Sequence, residues 1–92
     1  MIYYKIINIT DKQGNIRTDG RYPQRVNSVV TIELLEVGSC FFYNNVLDNE
    51  GNDKEGRLRT SAVMSIRESL VDKTLAVETM NSVFYLEPIL TN

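Results

Sequence analysis

The sequence predicts an all-β fold, a small barrel of five to six short antiparallel strands. Three observations carry that expectation. Runs rich in β-branched and aromatic residues recur at 1–10, 28–37, 40–43, 58–67, 75–79 and 83–87. Turn chemistry built on Gly, Asn and Asp separates them. The 92 residues suffice for one domain with a modest core, because a chain this short buries only about 60–65% of its unfolded surface.

Residues 1–10, rich in Ile and Tyr, read as a strand. Asp11-Lys12-Gln13-Gly14-Asn15 is a turn, and Ile16-Arg17-Thr18 the returning arm of a hairpin. Residues 19–27 contain Gly20 and Pro23 and read as a loop. Residues 28–37 alternate, with Val30, Ile32 and Leu34 on one face and Val29, Thr31, Glu33 and Leu35 on the other. Gly38 breaks or bulges the run, and Cys40-Phe41-Phe42-Tyr43 continues it, mostly as core. Residues 44–56 hold most of the acid and form the longest expected loop. Strands follow at 58–67, 75–79 and 83–87, with a connection at 68–73 and a tight turn at 80–82. Pro88 is expected to end the last pairing. Val63, Ile66, Leu70 and Val77 also fit a helical period, but the stretch has no cap and many β-branched residues. A short helix within 44–74 is therefore the minority reading. The glycine break and the closing hairpins favour an SH3-like barrel, with an OB-like barrel as the alternative.

The net charge of −2 argues against broad nucleic-acid binding, which needs a dense positive surface. The charge is unevenly spread. Arg17, Arg21 and Arg25 face one acid, Asp19, in 17–25. Asp48, Glu50, Asp53 and Glu55 surround Lys54, and Arg57, Arg59 and Arg67 follow without an acid before Glu68. The single cysteine, Cys40, cannot form an intrachain disulfide. The first ten residues, interrupted by Lys5 and Asn8, do not read as a secretory signal, and no run approaches the roughly 20 apolar residues of a membrane span. A cytoplasmic protein without membrane association is the expectation. The chain contains no histidine, which removes Ser-His-Asp and Cys-His catalysis and nearly all transition-metal sites. No catalytic residue, metal or other cofactor is expected.

Two stretches echo one another. Asp11 to Thr18 resembles Asp53 to Thr60, with five identical positions, and Asn27 to Glu33 resembles Asn81 to Glu87. The favoured reading is that turn-then-strand chemistry recurs. A decayed duplication would make Arg17 and Arg59 equivalent.

Four candidate sites stand out. Arg57 and Arg59 share a strand face, and Thr60 and Ser61 add hydroxyls, so the group could take phosphate or carboxylate. The plainer reading, that the pair balances the acidic loop beside it, is favoured. Asn81 and Ser82 at a hairpin tip usually serve the turn itself, though with Tyr85 they could line a ligand mouth. The acidic loop fails the calcium-loop pattern, since Asp53 and Arg59 stand where Gly and Glu are needed. The Cys40–Tyr43 run would be an interface strip if one face stayed exposed. Arg17, Arg21 or Arg25, with Tyr22, could join Arg57 and Arg59 around an anionic nucleotide in an inter-subunit pocket.

The run Leu58-Arg59-Thr60-Ser61-Ala62-Val63-Met64-Ser65-Ile66, with Val77-Glu78-Thr79-Met80-Asn81-Ser82-Val83-Phe84-Tyr85-Leu86, resembles small uncharacterised all-β proteins of bacteriophages and other mobile elements. The shared pattern is an R-T-S-x-V-x-x-I strand and a V-x-T-x-N-S-x-Y-x-L hairpin over the C-terminal third. The resemblance implies a phage or prophage origin and brings no activity or site residue. Short proteins of that origin are often inhibitors or sequestering proteins aimed at host machinery. The leading expectation is a non-enzymatic binding module acting on a host protein. Its rivals are a sponge for a small anionic ligand and a phage structural accessory protein, both allowing a homo-oligomer.

Overall fold

The computed structural model describes residues 2–89. Six strands form: β1 (Tyr3–Thr10), β2 (Val29–Leu34), β3 (Cys40–Leu47), β4 (Arg57–Glu68), β5 (Leu75–Thr79) and β6 (Val83–Ile89). Each pairs antiparallel with its neighbour in the chain, and β6 returns to β1 to close the barrel. The small antiparallel barrel expected from the sequence is what the chain makes, in plain up-and-down order. Closure leaves no long sheet edge for another chain to extend.

Nine side chains fill the centre: Ile6, Ile9, Val30, Phe41, Tyr43, Val63, Val77, Phe84 and Leu86. Phe41, Tyr43 and Phe84 meet with ring centroids 5.0–6.5 Å apart and replace the absent Trp as the aromatic heart of the core. Two β-bulges decide who faces inward. The register slips between Ile6 and Asn8, so Ile7 is the extra residue and both Ile6 and Ile9 point into the core. A second slip between Val63 and Ser65 expels Met64 and keeps Val63 and Ile66 on the core side. That bulge accounts for the apparent helical period there: an i, i+3 spacing arises from a strand with one residue looped out.

Several local expectations change. The strand over 28–37 is shorter, Val29–Leu34, and a slip between Ile32 and Leu34 turns Leu34 outward while Leu35 packs on the core. Residues 44–47 belong to β3, leaving 48–56 as the loop. The longest connection is instead 11–28, and the one short helix, α1 (Tyr22–Arg25), lies within it rather than in 44–74. Pro23 sits in its first turn, where a missing N–H is harmless. Ile16-Arg17-Thr18 makes only a bridge from Ile16 to Thr10 and one bond from Arg17 N–H to the Ile9 carbonyl. Pro88 does not end β6, for it pairs with Tyr4. It lies beyond Leu86, the last β6 residue to face β5, where a strand with one neighbour tolerates a lost donor.

Between β1 and β2 only three residue pairs form, at Tyr3, Tyr4 and Lys5. Segment 16–28 takes the place of the missing partner. Ile6 exchanges backbone bonds with Asn27 and Ser28, and Tyr22 and Val26 pack onto the core from α1 and the residue after it. The loop that carries α1 is thereby tied to the barrel.

Candidate functional site

The predicted site residues fall in four places. Arg57 and Arg59 are both exposed on the outer face of β4, opposite Asn44 and Phe42. Arg57 does not balance the acidic 48–55 loop: its Nε donates to Glu33 at 2.5 Å, and its guanidinium lies 4.3 Å over the Phe42 ring. The side chain reaches across β3 to β2, since strand neighbours stand closer than the loop. Thr60 is occupied structurally. Its Oγ1 accepts from the Phe41 N–H at 3.2 Å and donates to the Ser61 carbonyl at 2.7 Å, filling the slip between Cys40 and Phe42.

Asn81 and Ser82 serve the β5–β6 turn. The Thr79 and Ser82 backbones and the Thr79 hydroxyl bond one another, and Ser82 is 1% exposed. Arg17 locks this turn from outside. Its Nη1 donates to Ser82 Oγ at 2.8 Å and to the Asn81 carbonyl at 3.1 Å, while Nε and Nη2 fork onto Asp19. That fork holds the Asp19 carboxyl below its usual range. Tyr85 stands elsewhere, on the outer face of β6 between Asn8 and Ala76. The Cys40–Tyr43 run splits by alternation, with Phe41 and Tyr43 buried and Cys40 and Phe42 half-buried.

Arg21 and Arg25 come together with residues not foreseen. A cleft of about 240 Å³ opens between α1 and the end of the β3–β4 loop. Arg21, Gln24, Arg25, Asn45, Lys54, Glu55, Gly56 and Leu58 line it. Arg21 precedes α1 at its N-cap and Arg25 ends it, and both line the cleft. Lys54 is brought opposite them by the loop, whose backbone ties Lys54 N–H to the Val46 carbonyl and Asn45 N–H to the Gly56 carbonyl. Gly56 has φ +126, a conformation that L side chains resist, and it lets the chain turn beside Asn45. Among the described residues, ion pairs join Lys12 to Glu78, Arg17 to Asp19 and Arg57 to Glu33, and none involves Arg21, Arg25 or Lys54.

Tyr22 does not line the cleft. Its ring carries the guanidinium groups of Arg17 at 4.2 Å and Arg25 at 5.5 Å, and packs against the core. Behind the lining stands Tyr43, paired with Leu58 across the sheet and two residues from Asn45. Its hydroxyl is buried with no hydrogen-bond partner among the described residues, and burial raises its pKa above 10.0.

Sequence reading missed Lys54, Gln24, Asn45 and Glu55 because Lys54 sits in an acidic run and Asn45 in an expected loop. A usable signal was present. Asp11-Lys12-Gln13-Gly14-Asn15 and Asp48-Asn49-Glu50-Gly51-Asn52 are the same turn. In each, one Asp oxygen accepts from the N–H groups two and four residues on, at 2.9 Å. In each, the residue after next donates back to the strand, Arg17 to Ile9 and Lys54 to Val46. The structural counterpart of Arg17 is thus Lys54, not Arg59, and the echo of Asp11–Thr18 with Asp53–Thr60 aligns unlike places.

Among the described residues, no helix is long and apolar enough to cross a membrane, and no three His, Cys, Asp or Glu side chains gather as a metal site. Comparison with family models, curated proteins and solved structures finds no match.

Proposed function

We propose that this chain is a non-enzymatic binding module that takes an anionic group in the cleft between α1 and residues 54–58. The observation that supports it is the convergence of Arg21, Arg25 and Lys54 without an ion-pair partner among the described residues. Unpaired cations in a concave site are stabilised by an incoming anion, and arginine forks suit oxyanions. The non-enzymatic half rests on composition: no histidine is available, and the cleft has one carboxylate, Glu55. Thermal denaturation tests the reading. An anion at 100 times its dissociation constant adds about 2.7 kcal/mol of stability. For a domain of this size that raises Tm by roughly 10–20 °C. The rise should disappear in Arg21→Ala/Arg25→Ala. No shift with millimolar phosphate, citrate or acetate would sink it.

A second reading, the host-protein partner implied by the phage resemblance, is favoured by the β4–β5 turn. Leu70 and Val71 there are 85% and 95% exposed. Adjacent aliphatic side chains so far from the core fit a partner's pocket. Co-elution with one host protein at fixed stoichiometry, lost in Leu70→Ser/Val71→Ser, would support sequestration of a host factor.

A further inference from the structure

Resting on the reading that the cleft takes an anion, we infer that its ligand is a phosphoryl dianion, recognised by Arg21, Arg25 and Lys54 with the side-chain amides of Gln24 and Asn45. Three features of the lining select this chemistry over a carboxylate or a whole nucleotide. First, three cations against Glu55 leave two positive charges in excess, which match a phosphate monoester above its second ionisation near pH 6. A carboxylate neutralises only one. Second, two guanidinium forks, an ammonium and two amides present more donors than the two oxygens of a carboxylate can accept, whereas a phosphoryl group offers three strongly accepting oxygens. Third, about 240 Å³ lies below the roughly 300–1,000 Å³ of pockets for drug-sized ligands. The lining contains no aromatic ring, and the nearby Tyr22 ring already carries Arg17 and Arg25. A nucleobase has no stacking partner here, so the nucleotide expectation narrows to the phosphoryl group itself.

Arginine, lysine and glutamate line the cleft with tyrosine behind them, and the chain holds no histidine, the side-chain type that ordinarily changes charge between pH 5 and 8. A phosphate monoester, with its second ionisation near pH 6, does change charge there. Binding of ethyl phosphate, inorganic phosphate, sulfate and acetate to the intact chain, measured by calorimetry at pH 7.5 and pH 5, tests the assignment. Ethyl phosphate should bind more tightly than acetate at pH 7.5 and weaken about tenfold at pH 5 as the dianion protonates. Sulfate, a dianion at both values, should bind equally at both. Glu55→Gln should tighten phosphate binding several-fold, and Arg59→Ala should leave it unchanged. Inorganic phosphate binding as tightly as ethyl phosphate assigns the free ion, and tighter ethyl phosphate assigns an ester. Acetate binding as tightly as phosphate, or ethyl phosphate keeping its affinity at pH 5, overturns the phosphoryl assignment while leaving an anion site. Failure of every anion to bind at pH 7.5 overturns both.

Discussion

Replacing Arg17 with Ala should destabilise the barrel far more than an exposed arginine would. The side chain is 20% exposed and joins three parts of the fold. Its fork on Asp19 contributes little, because Asp19 is 63% exposed and surface pairs are screened, at about 0–1 kcal/mol. Its position 4.2 Å over Tyr22 adds about 0.5–1 kcal/mol. The largest share comes from Ser82, 1% exposed, whose hydroxyl would lose its charged partner, at about 1–3 kcal/mol. Together these give about 1.5–5 kcal/mol, which lowers the Tm of a domain this size by roughly 6–40 °C. Urea and thermal denaturation of Arg17→Ala, Asp19→Ala and Ser82→Ala, with the Arg17/Ser82 double variant, measure it. Asp19→Ala should cost under about 1 kcal/mol, and the Arg17–Ser82 cycle should couple by about 1 kcal/mol or more. A change of less than about 0.5 kcal/mol in Arg17→Ala, or an equal loss in Asp19→Ala, would mean that the tie to the β5–β6 turn contributes nothing.

Two other outcomes follow from the core and the surface. Tyr43→Phe removes a buried hydroxyl that has no partner among the described residues, so it should be neutral or stabilise by up to about 1 kcal/mol in urea denaturation. A loss above 1 kcal/mol would mean that the hydroxyl is bonded. Stability should also fall in acid. Lys12 and Ser65 hold the Glu78 carboxyl below its ordinary value of 4.5, and turn N–H groups hold Asp11 and Asp48 below 3.8. A depressed folded pKa contributes stability that is complete above the unfolded value and lost as pH falls through the folded one, so Tm should decline below about pH 4.5. Glu78→Gln should show a shallower decline between pH 4.5 and 2.5. An identical slope would remove Glu78 from the account.

Strand positions were legible because their chemistry is local. Leu75–Thr79 and the turn after it sit where alternation and small polar residues place them. The bulges at Ile7 and Met64 were not legible. A looped-out residue shifts inward positions from i, i+2 to i, i+3, and only the partner strand's register shows which residue is extra. The helix was hidden for a related reason. Tyr22–Arg25 has no side-chain cap and only four residues, and exists because 16–28 must bond where β2 falls short of β1.

The sequence alone determined the all-β class, the turn at Asp11, and the exclusion of imidazole chemistry, since each follows from residue types and short spacings. Only the tertiary structure decided what each arginine meets across the fold. Arg17 and Arg57 looked as available as Arg21 and Arg25, but barrel closure set Arg17 against Ser82, and the β2–β3–β4 pairing set Arg57 against Glu33. The fold also brought Lys54, 29 residues beyond Arg25, into the lining of the same cleft. Charge along a chain is local, whereas an ion pair or a binding cleft depends on distances across strands that only register and closure set.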